Sequence, residues 1–360
     1  MRLKHTLASL ARLGLAVALL CCWPAVALAT FPGQNGKIAF GLTTQPGGIH
    51  VIEPHGTGLT RLIDRGSDAV WSPDGRRLAF RKTGADVGIT NGLYVANADG
   101  SGQTLVRADT EFNPTPQTHR SNYGYEPTWS ADGSAIAYTA EERFCAERFG
   151  CVFTPLGIRA INPDGSGDRL VLDRFANAAA YSPDGTRIAW LDHHTAIRPG
   201  LHVSNSDGTG DTVLVPVGEP AWPSSPSWSP DSSRIAFSRA VGTETHFDIH
   251  VMGADGSDRT RLTFDGVNGS PVWSPDGTKI AWIRSGRLWI MNADGSDQAM
   301  LTSEATFVTN VDWQPLVGPR RADYKNASHF CKALRAFLGD QEFAQRYRNH
   351  GGCVSGGQRR

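Results

Sequence analysis

A motif that returns at short, shrinking intervals restricts this chain to a repeat fold. Trp71-Ser-Pro-Asp-Gly75 recurs as Trp129-Ser-Ala-Asp-Gly133, Tyr181-Ser-Pro-Asp-Gly185, Trp228-Ser-Pro-Asp-Ser232, Trp273-Ser-Pro-Asp-Gly277 and, cut short, Trp313-Gln-Pro315, at spacings of 58, 52, 47, 45 and 40 residues. Each complete copy leads into an apolar run ending in an aromatic residue: Phe80, Tyr138, Trp190, Phe237 and Trp282. A sixth such run, Ile38-Ala39-Phe40, precedes the first Trp motif. A second motif alternates with the first: Asn97-Ala-Asp-Gly100, Asn162-Pro-Asp-Gly165, Asn205-Ser-Asp-Gly208, Gly253-Ala-Asp-Gly256 and Asn292-Ala-Asp-Gly295, with Glu53-Pro-His-Gly56 as a weaker first copy. In both motifs Asp-Gly falls between strand-like runs, where Asp suits the second central position of a type I turn and Gly the positive φ that follows. Each unit of about 45 residues therefore reads as two hairpins, the size of a four-stranded propeller blade.

The register of the ends closes the ring. The chain enters at the second strand of one blade, Asn35 to Phe40, and leaves on an isolated first strand, Val308 to Trp313. Pairing the two removes the open edge that a linear stack would expose. The expected fold is all-β: a six-bladed β-propeller closed by its C-terminal strand, with a helical tail. The domains read as 1–29 export signal, 30–317 propeller and 318–360 tail. Forty Gly and 21 Pro fit so many turns, and the evenly spread apolar residues argue against disorder.

The repeats, of the form WSPDGxxIAF followed by NADGSGxxxLT, resemble the TolB-like six-bladed β-propeller family over about four-fifths of the chain. The family's namesake has an α/β domain ahead of its propeller, and the segment from Thr30 to Ile38 is too short to supply one. The resemblance therefore implies a stand-alone propeller, and the namesake's partners are not carried over.

Arg2, Lys4 and Arg12, an apolar stretch from Leu13 to Leu20 and small residues before Thr30 read as a signal peptide, so the chain is expected in the periplasm or outside the cell. No later run approaches 18 apolar residues, which excludes an integral membrane helix. Of the 35 basic residues three lie in that leader, leaving 32 against 35 acidic, a balance without an overall grip on nucleic acid or anionic lipid. Four cysteines remain in the mature chain and allow three pairings. Local spacing favours Cys145 with Cys151 and Cys331 with Cys353. After Pro319, Phe330, Leu334, Phe337 and Leu338 follow helical spacing, Gly339 can end that helix and Asp340 can cap a second one carrying Phe343 and Tyr347. This tail is expected to cap a face or edge of the ring.

No catalytic constellation emerges. The repeated Asp residues occupy one turn position around the ring, and His50, His202 and His250 share a third-strand position held elsewhere by Tyr94, Arg159 and Trp289, so they diverge from one another and do not form a metal site. His119, His193 and His194 on connections leave a residual metal reading. No nucleophile elbow or phosphate loop is present, and no cofactor is expected. Binding is expected on the face with variable connections. Two long segments there, Val106 to Glu126 and Thr139 to Leu156, offer His119, Arg120, Tyr123, Tyr125, Arg143, Arg148 and Phe149. Three positions before each Trp lie Asp68, Glu126, Ala178, Ser225, Ser270 and Asn310, a polar ring with two acids at the channel mouth. The functional expectation is a monomeric scaffold for a peptide, a protein or an envelope glycan; the alternative is a carbohydrate-active or other hydrolytic or lyase enzyme with loop-borne catalytic groups.

Overall fold

The computed structural model describes residues 34–354 except 44–46, 85–87, 116–117, 147–149, 174–175, 193–199, 217–222, 242, 303–306, 320–323 and 348. Within its strands and helices the side chains of 111–115, 118–120, 123, 146, 150–153, 155, 243–245, 341–342, 345–346 and 351–352 are outside the description. The leader, His193 and His194, Arg148 and Phe149 thus lie outside the described residues.

The strands assort into six antiparallel sheets. The opening sheet holds β1 (Gln34–Leu42), β2 (Gly48–Ile52) and β3 (Thr60–Asp64); the next holds β4 (Gly66–Trp71), β5 (Arg77–Lys82), β6 (Gly92–Asn97) and β7 (Thr104–Ala108). The third has five strands, β8 (Thr110–Thr115), β9 (Thr118–Trp129), β10 (Ile136–Ala146), β11 (Gly150–Ile161) and β12 (Arg169–Leu172). Three sheets of four follow: β13 (Ala176–Tyr181), β14 (Arg187–Asp192), β15 (Gly200–Asn205) and β16 (Thr212–Pro216); β17 (Pro223–Trp228), β18 (Arg234–Val241), β19 (Thr243–Gly253) and β20 (Thr260–Arg261); β21 (Asn268–Trp273), β22 (Lys279–Arg284), β23 (Arg287–Asn292) and β24 (Ala299–Met300). The last strand, β25 (Val308–Leu316), returns to pair antiparallel with β1, Ile38 opposite Trp313, and supplies the missing inner strand of the opening blade.

Both motifs act as turn chemistry. In the first, Ser72 Oγ donates to Asp74 Oδ1 at 2.7 Å and accepts from the Arg77 amide at 2.9 Å, while Gly75 takes φ +66°. In the second, the Ser101 hydroxyl and amide both donate to Asp99 Oδ1 and hold that carboxyl below its ordinary range. The motif tryptophans wedge the blades apart. Trp129, Trp228 and Trp313 are at most 6% exposed, and the Trp129 and Trp228 indoles donate to Val70 O and Ala180 O of the preceding blade. Arg77, Arg187 and Arg234 lie 4.7 Å over the rings of Trp129, Trp228 and Trp273, packing one blade's turn on the next blade's wedge.

The three histidines take part in the same cross-strand pairing as their counterparts. His50, His202 and His250 face Phe40, Trp190 and Phe237, with ring centroids 6.2, 4.1 and 5.6 Å apart, as Tyr94 faces Phe80 and Trp289 faces Trp282. Burial lowers the pKa of His50 and takes that of His250 down to about 4.

The two segments read as long loops are largely strand. β9, β10 and β11 run 11 or 12 residues where inner strands of neighbouring blades run six, so their ends pair with one another beyond the ring, and β8 adds a fifth strand. The extra five or six residues project roughly 17–20 Å. Cys145 is disulfide-bonded and stands in register opposite Cys151. The helical tail comprises α1 (Ala327–Arg346), broken at Gly339 where φ is +77°, and α2 (His350–Val354), tied by the Cys331–Cys353 disulfide. The tail has a core of its own, Cys331, Phe343, Tyr347 and Cys353, and its two helices contact each other.

Candidate functional site: the central channel

Each inner strand carries a bulge three residues before its wedge residue. There Asp68, Glu126, Ala178, Ser225, Ser270 and Asn310 adopt φ between +40° and +53°. Pairing shifts register at this point in every blade, for example between Ser67 and Val70 and between Asn177 and Ala180. A left-handed backbone costs an L-residue about 1 kcal/mol or more, yet none of the six is glycine. Recurrence in all blades marks the bulge as a requirement of ring geometry.

These six residues line a central cavity of about 220 Å³ that continues along the inner strands toward the Ser-Pro-Asp-Gly turns. Its acidic side chains are Asp68, Glu126 and Asp312, and among the described residues no Lys, Arg or His lines it. Glu126 Oε2 accepts from the Ala178 amide at 3.0 Å and from Thr139 Oγ1 at 3.2 Å, linking two blades. Burial raises its pKa, opposed by the Ala178 amide, and the nearby charges of Asp68 and Glu141 raise it further. Asp68 accepts from Asn310 Nδ2 and, at 3.4 Å, from Ser67 Oγ; burial lifts its pKa against the pull of Arg81. Asp312 Oδ2 accepts from the Trp71 amide at 2.6 Å across the closing blade boundary, and burial pushes its pKa up to about 7 against the Trp71 and Trp313 amides. Each of the three is only partly exposed and lines the cavity.

Asp312 stands one residue before its Trp, not three, and so lies outside the ring of positions that the repeat brings into register. Ser227, at the same offset, accepts from the Trp273 amide at 3.3 Å, and that equivalence is the signal that could have exposed it.

The projecting sheet rises beside this mouth. Of the residues expected to bind ligand, His119, Arg120 and Tyr123 fall on β9, Arg143 on β10, and Tyr125 next to Glu126 at the base. Register places His119 opposite Cys145, Arg120 opposite Phe144 and Tyr123 opposite Glu141, so both segments share one sheet. Tyr125 is half-buried and donates to Glu141 Oε2 at 2.8 Å; Arg143 is exposed, its Nε 3.0 Å from Cys145 Sγ. A buried ionic brace holds the base: Arg81 donates to Asp109 Oδ2 at 2.7 Å and to Gly124 O at 2.5 Å, while the Gly124 amide donates to Asp109 Oδ1 at 3.4 Å. At Gly124 an added Cβ would lie 2.7 Å from the Tyr138 ring, so only glycine lets the sheet approach so closely.

Among the described residues no group of three or more His, Cys, Asp or Glu could hold a metal ion. Ser225, Ser227 and Ser270 line the cavity, and no imidazole or amine stands among its described lining residues. The lining offers carboxylates and hydroxyls around a cavity of about 220 Å³.

Fold and site together define a six-bladed β-propeller with an acidic axial channel. Residues 158–318, just under half of the chain, match the family described as TolB beta propeller domain. TolB from Acinetobacter baumannii shares the fold with a TM-score of 0.60 at 18% identity, over 78% of this chain and 67% of that one. A chain of the nidogen/laminin complex has a TM-score of 0.58 at 12% identity, over 78% and 98%. An oligogalacturonate lyase in complex with manganese follows with a TM-score of 0.49 at 14% identity, over 73% of each chain. No curated protein matches the chain.

Proposed function

We propose that this chain is an exported binding scaffold whose channel mouth receives a cationic segment of a peptide or protein partner. The observation that carries the proposal is the channel lining: Asp68, Glu126 and Asp312 converge on one cavity, with no basic side chain among its described lining residues. A lysine ammonium, an arginine guanidinium or a free N-terminus entering the mouth would pair with carboxylates in a desolvated setting, and a polyanion would be repelled. Partner binding lowers the pKa of Asp68 and Glu126 on this reading, because a neighbouring cation favours their charged forms. The projecting sheet, with Tyr123, Tyr125 and Arg143, offers one wall for the rest of the partner; aromatic and Arg side chains are the types enriched at binding hot spots. Export is supported by the leader-like N-terminus and the Cys331–Cys353 disulfide, which an oxidising compartment maintains.

Selection from a random decapeptide library on immobilised protein tests this. Enrichment of Lys or Arg on wild type and its disappearance on Asp68→Asn/Glu126→Gln is the expected result. Enrichment of acidic or wholly apolar peptides, or an unchanged selection on the variant, would remove the channel from the account.

A further inference from the structure

Charge is segregated along this chain. From Thr30 to Val317 the sequence has 23 Lys and Arg against 32 Asp and Glu, a net of −9, whereas from Gly318 to Arg360 it has nine against three, a net of +6. The boundary coincides with the end of the propeller match at residue 318. The basic piece also has an apolar core of its own. Its core of Cys331, Phe343, Tyr347 and Cys353, joined by the half-buried Phe330, Leu334 and Leu338, lies within the helical hairpin. Its visible link to the ring is local: at Gly318, in the linker, an added Cβ would lie 3.1 Å from Phe337 Cε1.

The apolar residues of α1 recur at 330, 331, 334, 337 and 338 and turn inward, which leaves the opposite side to solvent. On that side Lys325, just ahead of the helix, then His329, Lys332 and Arg335 follow at spacings of three or four, all exposed, so they form one stripe. Arg335 pairs with Asp340 at 2.7 Å on the surface. Lys325 and Lys332 have no carboxylate partner among the described residues. All four side chains are exposed in the folded chain.

We propose that the C-terminal hairpin is a second binding module, specific for an acidic polysaccharide and independent of the channel. The chemistry of the stripe selects among polyanions. It presents point charges without an exposed aromatic side chain on which bases could stack, as single-stranded nucleic acid would need. It also lacks the apolar wedge by which interfacial helices hold a bilayer, Val354 being the tail's exposed large apolar residue among those described. What remains is multivalent pairing of ammonium groups with carboxylates along a hydrophilic chain, strengthened by the +6 charge of the tail. The propeller, at −9, would repel the same polymer, so the two modules have opposite ligand preferences.

Co-sedimentation of the full mature chain with polygalacturonate, over 50 to 300 mM salt, tests the proposal. Wild type binds at low salt and loses affinity steeply as salt rises. Lys325→Gln/Lys332→Gln/Arg335→Gln binds at least about tenfold more weakly with an unchanged melting temperature, since counterion release scales with the number of neutralised charges. Lys325→Arg/Lys332→Arg, which keeps the charge, binds like wild type. Absence of wild-type binding, equal binding by the Gln variant, loss in the Arg variant, equal retention on uncharged dextran, or stronger binding to phosphatidylglycerol vesicles than to the polymer would each overturn it.

Discussion

Replacing Asp312 with Asn should stabilise the ring at alkaline pH and do little at acid pH. The carboxyl group lies on the closing strand, where its Oδ2 takes the Trp71 amide at 2.6 Å, and burial raises its pKa from 3.8 to about 7. Because the folded pKa exceeds the unfolded one, the folded protein holds this proton more tightly. The resulting stabilisation is complete below about pH 4 and disappears as pH rises through 7. A shift of about three units corresponds to a ceiling of about 4 kcal/mol. Asp312 keeps part of its surface toward channel water, which screens the charge, so the measured change should fall below that ceiling. Asn retains the acceptor for Trp71 and cannot ionise. Urea unfolding followed by tryptophan fluorescence between pH 5 and 9 should give a wild-type stability that falls with pH and an Asn variant with a shallower fall, the gap opening toward pH 8. Asp68 and Glu126, whose pKa values are also raised by burial, leave a residual slope of the same sign. Parallel curves for the two proteins would refute the reasoning, as would a variant that loses more stability at high pH than wild type.

Other consequences separate the ring from its tail. Ending the chain before Val308 removes β25 and with it Trp313, 2% exposed, a burial worth about 3–5 kcal/mol, and should abolish cooperative melting; ending it after Val317 should leave melting nearly unchanged, and equal effects would contradict closure. Cys353→Ser should cost the hairpin about 3 kcal/mol on the chain-entropy account, seen as loss of helical circular dichroism with the ring's melting temperature unaltered. Ala178→Gly should raise stability by about 1 kcal/mol in denaturant unfolding, because Ala178 holds φ +47° where glycine is unstrained; a loss would show that its methyl group packs usefully.

The blades were readable because each motif meets a chemical need that few residues satisfy. Asp74 accepts from Ser72, and Gly75 supplies a positive φ, so the tetrapeptide announces its own turn. Ring closure was readable from bookkeeping of strands alone, since Val308 to Trp313 had no partner except the first strand. The histidines were placed by comparison with Tyr94 and Trp289. The projecting sheet was not readable: Gly124, Pro127 and Pro155 interrupt its alternation, and its pairing depends on tertiary contacts such as the Arg81–Asp109 brace. The bulges were hidden because Asp68, Glu126 and Ala178 carry no local preference for left-handed backbone strong enough to predict it. Ring geometry imposes that conformation from outside the segment.

Trp228, Trp273 and Trp313 line the channel, so a ligand that enters it must alter their surroundings. The most direct measurement is therefore a fluorescence titration of the mature chain with three decapeptides matched in length and apolar content, one bearing Lys and Arg, one neutral and one acidic. The cationic peptide should give a saturable change in tryptophan emission that weakens at least tenfold in Asp68→Asn/Glu126→Gln, while the other two leave emission unchanged. Saturable binding of the acidic peptide, or equal affinity of the cationic peptide for the variant, would contradict an acidic channel as the site of recognition.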